Sequence, residues 1–85
     1  MKKEQQVLVR RLKKLCMEKG FSYYLLANKS SVPMSTLIHI IEGSVKNPGI
    51  FTIIKLCYGL EIALGDLFAP EDLEEIMEAL EEMEE

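Results

Sequence analysis

Histidine occurs once in this chain, cysteine only twice, and the last fifteen residues contain no base at all. The scarcity of histidine and cysteine argues against a zinc site. Cys16 and Cys57 lie 41 positions apart, outside any CxxC pair and each at an apolar-periodic position, which reads as two buried free thiols rather than a disulfide or a zinc site. With His39 alone, no set of four ligands at zinc spacing can be assembled. The longest stretch without a charged side chain is the twelve residues 30–41, too short to cross a bilayer. The N-terminal MKKEQQVLVRRLKKLC lacks the uninterrupted apolar core of a secretory signal, so a cytoplasmic protein without a membrane partner is expected. A nucleophile–base pair, a carboxylate pair for acid–base work and a glycine-rich phosphate loop are all missing, so neither an enzyme, a cofactor nor a small-molecule substrate is expected.

The 85 residues that are present hold 48% apolar and 28% charged side chains, the balance of one small folded domain with a modest core. Their net charge of −4 conceals an uneven distribution. Residues 1–20 carry seven bases against two acids, residues 21–70 carry three of each, and residues 71–85 carry nine acids.

Periodicity divides the chain into helices. Leu8, Leu12, Leu15 and Cys16 mark one face of a helix from Glu4 to Lys19, stopped by Gly20. Ser22 is a good N-cap for a second helix that carries Leu25, Leu26 and Ala27 to about Ser30. Pro33 suits the first turn of a third, with Leu37, Ile40 and Ile41 inward and Gly43 closing it. SVKNPG is a loop, and the apolar spacing of IFTIIKLCYGL favours a fourth helix over a strand. A short fifth helix around Leu64–Phe68 brings Leu67 and Phe68 to the core, before Ala69-Pro70 breaks the chain.

Gly20-Phe-Ser, Leu26-Ala27, Val32, Ser35-Thr36-Leu37, Ile40, Gly43, Asn47-Pro48, Leu60 and Asp66-Leu67-Phe68 resemble, in order and spacing, the phage-repressor-like (Cro/cI, XRE) helix-turn-helix family of DNA-binding proteins. The likeness covers about residues 5–68 and implies an all-α, compact five-helix lambda-repressor-like domain over residues 1–69, with an acidic amphipathic helix over 70–85. It also implies a transcriptional regulator, a repressor in the first instance, that binds double-stranded operator DNA as a homodimer with its third helix in the major groove. The small Ala27 lets the second and third helices cross closely, and Val32 plugs their corner.

Several positions depart from the family pattern. Cys16 and Ile41 stand where the family often pairs an Arg with a Glu, a joint loss of charge that a core tolerates. Tyr23 replaces a Gln that touches DNA, and Glu42 replaces an Asn or Arg at a phosphate. The third helix has no Arg, Lys, Asn or Gln. Its base-facing candidates are Met34, Ser35, Thr36, Ile38 and His39, able to offer hydroxyl bonds and contacts with thymine methyls. Ser35 and Thr36 either cap the helix or meet the duplex, and the lone His39 reads as a polar contact. Tyr23, Lys29, Lys46 and Asn47 are the phosphate candidates, Tyr23 as an exposed hydroxyl and Tyr24 as a peripheral packing residue.

EDLEEIMEALEEMEE sets Leu73, Ile76, Met77, Leu80 and Met83 on one stripe. This helix is expected to dock on a partner subunit, building a homodimer, or on the chain's own basic helix at Arg10, Arg11, Lys13 and Lys14. A protein-interaction module that has lost DNA binding, and an antitoxin-type autoregulator, are the alternative readings.

Overall fold

Helix α1 (Lys3–Lys19) lays Val7, Leu8, Leu12, Leu15 and Cys16 along one buried face, and Gly20 ends it in the left-handed conformation. In the computed structural model, which describes residues 1–83, α2 (Tyr23–Ser30), α3 (Met34–Glu42) and α4 (Ile50–Gly59) follow, and α5 (Pro70–Glu82) closes the described chain. Among the described residues there is no strand. The expected fifth helix around Leu64–Phe68 is instead a single 3-10 turn, Leu64–Asp66. The eight residues 62–69 between the left-handed Glu61 and the start of α5 at Pro70 also serve to leave one helix and enter the next, so only one tight turn forms among them, yet Leu67 is fully buried and Phe68 packs at the edge of the core.

The core joins α1, α2, α3, α4 and the turn through Leu12, Leu26, Leu37, Leu56, Leu60 and Leu67, each 1% exposed or less. Cys16 and Cys57 are buried free thiols, and burial pushes both thiols up in pKa, keeping them protonated. Ile41, opposite Cys16 in the expected joint replacement of an ion pair, packs half-buried against this core. Helices α2 and α4 meet closely at Gly59, where an added Cβ would lie 2.7 Å from the Ser30 Cβ and 2.9 Å from its backbone nitrogen. Ser30 tucks its hydroxyl back into α2, donating to the Leu26 carbonyl at 2.7 Å, so this crossing leaves no unsatisfied polar atom.

The corner between α2 and α3 carries local strain. Ser31, which ends α2, adopts φ 57° and ψ 35°, a left-handed conformation that favours glycine. Ser31→Gly is therefore expected to stabilise the fold by about 0.5–1 kcal/mol, the relieved strain outweighing the added chain entropy, measured as a raised urea midpoint at constant slope.

Helix α5 lies against α1 through its acidic edge. Arg10 donates from Nη2 to Asp72 Oδ1 at 3.0 Å and to Glu75 Oε1 at 2.9 Å, and Lys3 Nζ stands 2.8 Å from Glu75 Oε2. Arg11 donates to the Leu67 carbonyl at 2.6 Å and to that of Asp66 at 3.2 Å, with Asp72 3.5 Å away. Asp72 also accepts the Ala69 backbone N–H at 2.9 Å, capping the helix start. Of the expected apolar stripe, Ile76 is half-buried beside a cleft of about 440 Å³ that Leu8, Val45, Ile53 and Phe68 also line. Leu73, Met77, Leu80 and Met83 are exposed. The last two glutamates of the expected acidic helix, at 84 and 85, lie outside the described residues.

Bonds from Arg10 and then Lys3 hold the Glu75 carboxyl down to about 2. A carboxyl depressed in the folded state contributes stability that is complete above its ordinary unfolded value near 4.3 and lost as pH falls toward 2. An NMR titration should place its midpoint near 2 in the native chain and back in the ordinary carboxylate range in a Lys3→Ala, Arg10→Ala variant.

Candidate nucleic-acid interface

Helix α3 is held from beneath and bare on top. Leu37 and Ile40 are buried against the core, and Val32, 5% exposed, fills the corner where α2 turns into α3. On the outer side Met34, Ser35 and His39 are exposed, with Thr36 and Ile38 half-buried beside them. Pro33 occupies the N-cap position and no side chain caps α3. The hydroxyls of Ser35 and Thr36 thus do not serve as caps and are left to other partners. The five base-facing candidates form one continuous outer strip, which α5, lying on α1, leaves uncovered.

The loop after α3 is pinned from α1. Gln5, 5% exposed, donates from Nε2 to the Gly43 carbonyl at 3.2 Å and to the Val45 carbonyl at 3.3 Å, while its Oε1 accepts the Lys2 backbone N–H at 3.0 Å. Sequence reasoning missed Gln5. Its signal was its place three residues before Leu8 on the apolar stripe of α1, where a polar side chain has to find buried partners. The clamp fixes the segment that presents Lys46 and Asn47, both exposed, and Lys46 has no ion-pair partner among the described residues.

The phosphate candidates on α2 are placed differently from expectation. Ser22 caps the helix, accepting the Leu25 backbone N–H at 3.0 Å, and this sets Tyr23 on the face shared with Leu26, Ala27 and Ser30. Tyr23 is consequently half-buried against the core, where desolvation, followed by the neighbouring Cys16, raises its pKa. Tyr24 is the outward one, 66% exposed. Lys29 lies 5.2 Å over the Phe21 ring and 3.9 Å from Glu61. Glu42 is exposed at the end of α3, a negative charge beside any duplex laid there.

Lys3, Arg10 and Arg11 are engaged with α5, whereas Lys13 and Lys14 of the expected patch are exposed and have no ion-pair partner among the described residues. No group of three or more His, Cys, Asp or Glu residues among the described residues is arranged to hold a metal ion. No helix among them is long and apolar enough to cross a membrane.

A tight corner, an outer strip of hydroxyls and small apolar groups, and a clamped loop bearing a lysine are the parts with which a helix-turn-helix reads a duplex. Neither the curated proteins nor the solved structures contain a significant match to this chain. A family model for the Cro/C1-type HTH DNA-binding domain, however, matches residues 11–73, from the middle of α1 into the first turn of α5. With the match spanning most of the sequence and the corner built as described, the chain belongs to the Cro/C1-type helix-turn-helix DNA-binding domain family.

Proposed function

We propose that this chain is a sequence-specific transcriptional regulator, a repressor that occupies operator DNA as a two-fold dimer and acts by occupancy, not chemistry. The exposed outer strip of α3, braced on the core by Leu37 and Ile40, carries this reading. Met34, Ser35, Thr36, Ile38 and His39 face the bases in the major groove. With no bidentate side chain among them, recognition leans on thymine methyls, hydroxyl bonds and the shape of the duplex. Lys46 and Asn47 meet phosphates from the clamped loop, with Lys29 and the Tyr23 hydroxyl at the α2 side. Two copies place their α3 helices about 34 Å apart, one duplex turn, joined through the Leu73, Ile76, Met77, Leu80 and Met83 stripe. The regulator works in the cytoplasm.

A gel shift against random and genomic fragments across salt concentrations tests this. Specific fragments should be retained tightly and random ones weakly, with log affinity falling linearly against log salt. Lys46→Ala should weaken every fragment about equally and reduce that slope by about 1. A second reading, an interaction module on the same fold, draws support from Glu42 and from the acidic surface of α5. Absence of binding at low salt would select it.

A further inference from the structure

Two helices present apolar faces that nothing in the described chain covers. On α4, Phe51 is 75% exposed, Tyr58 77% and Ile54 41%, and their spacing places them on one strip with Lys55, the only charge of that helix. On α5, Leu73 is 49% exposed, Met77 57% and Leu80 42%, with Glu74, Glu78 and Glu81 along the edge away from α1. Neither Lys55 nor these three glutamates has an ion-pair partner among the described residues. We infer that the two strips are halves of one contact, the α5 strip of one copy seating on the α4 strip of a second copy, so that a two-fold dimer makes the contact twice.

Charge selects this pairing over its obvious rival. Helix α5 carries no base, so packing α5 on α5 sets carboxylate beside carboxylate, a destabilising arrangement. Packing α5 on α4 places Lys55 among the unpaired glutamates and sets two aromatic rings against leucine and methionine. Area selects the closed form. Two aromatic side chains at three-quarters exposure, one isoleucine and three residues opposite bury about 700 Å² in one contact, the scale of a lattice contact, whereas the reciprocal pair buries about 1,400 Å², within the range of specific dimers.

The inference rests on the paired-regulator reading and names its counter-surface. It is tested on the full chain by sedimentation across micromolar concentrations, with circular dichroism to verify that each variant is folded. The native chain should sediment as a dimer, and Lys55→Glu should weaken the dimer at least about tenfold, as should the joint Glu74→Lys, Glu81→Lys variant. All three changes together should restore it. A native chain that stays monomeric, a dimer indifferent to Lys55→Glu, or a triple variant that fails to recover would overturn the contact. The gel shift separates the two claims, since a native dimer that binds no fragment refutes the regulator reading and spares the contact, whereas a monomer that binds specifically refutes the contact and the dimeric form of the regulator and spares its DNA recognition.

Discussion

Replacing Leu12 by alanine is expected to cost about 2–5 kcal/mol, the range for truncating a buried leucine whose surroundings cannot collapse into the space. Leu12 is fully buried, midway along α1, in the core that α2, α3, α4 and the 3-10 turn share. A chain of this length has about 4–13 kcal/mol in total to lose, so one side chain governs a large share of it. The melting temperature should fall by about 10–30 °C, read by thermal circular dichroism, and the urea midpoint should fall with an unchanged slope. A loss under about 1 kcal/mol would show that α1 is not integral to the core.

Glutamates at both Ser35 and His39 are expected to abolish specific retention of DNA while leaving the fold intact. Both side chains are exposed on the outer strip of α3, so stability should change by about 0.5 kcal/mol or less per site. A first-turn glutamate at position 35 also suits the helix dipole. Against a duplex the same two carboxylates meet phosphates and base edges in the groove. Two lost contacts at about 1–3 kcal/mol each weaken binding by at least about thirtyfold. The gel shift reads this directly, and a variant that binds as tightly as the native chain would remove α3 from the interface.

Much of the fold was legible in the sequence because its signals were local. The leucine spacing of α1, the Ser22 cap and the glycine stops at 20 and 43 each act within a turn or two, and each is where periodicity and capping chemistry put it. The corner was legible through the small Ala27 and the apolar Val32. Other features depend on distant partners. Gln5 gains its role from the carbonyls of Gly43 and Val45, thirty-eight and forty positions away, and a glutamine alone does not announce them. Ser31 occupies a conformation that its side chain does not favour, so residue preference pointed elsewhere. The outward and inward tyrosines of α2 exchanged places because one residue of helical phase separates them.

Helix α5 departs most instructively from pattern reading. An amphipathic stripe normally marks the face that a domain buries, yet here Asp72 and Glu75 turn toward the body of the protein and most of the leucines and methionines turn outward. The bases of α1 supply the reason, since Lys3, Arg10 and Arg11 offer four ion pairs where an apolar face would find charged groups. Of the basic cluster expected to receive this helix, Arg10 and Arg11 do so together with Lys3, while Lys13 and Lys14 stay exposed.

Arg11 holds two different things at once, the carboxylate of Asp72 and the main-chain oxygens of Asp66 and Leu67. Protonating or cutting away the terminal segment releases only the first grip. The second stays fastened to the body, so the end of the domain keeps its closing bond whether or not the appendage is held.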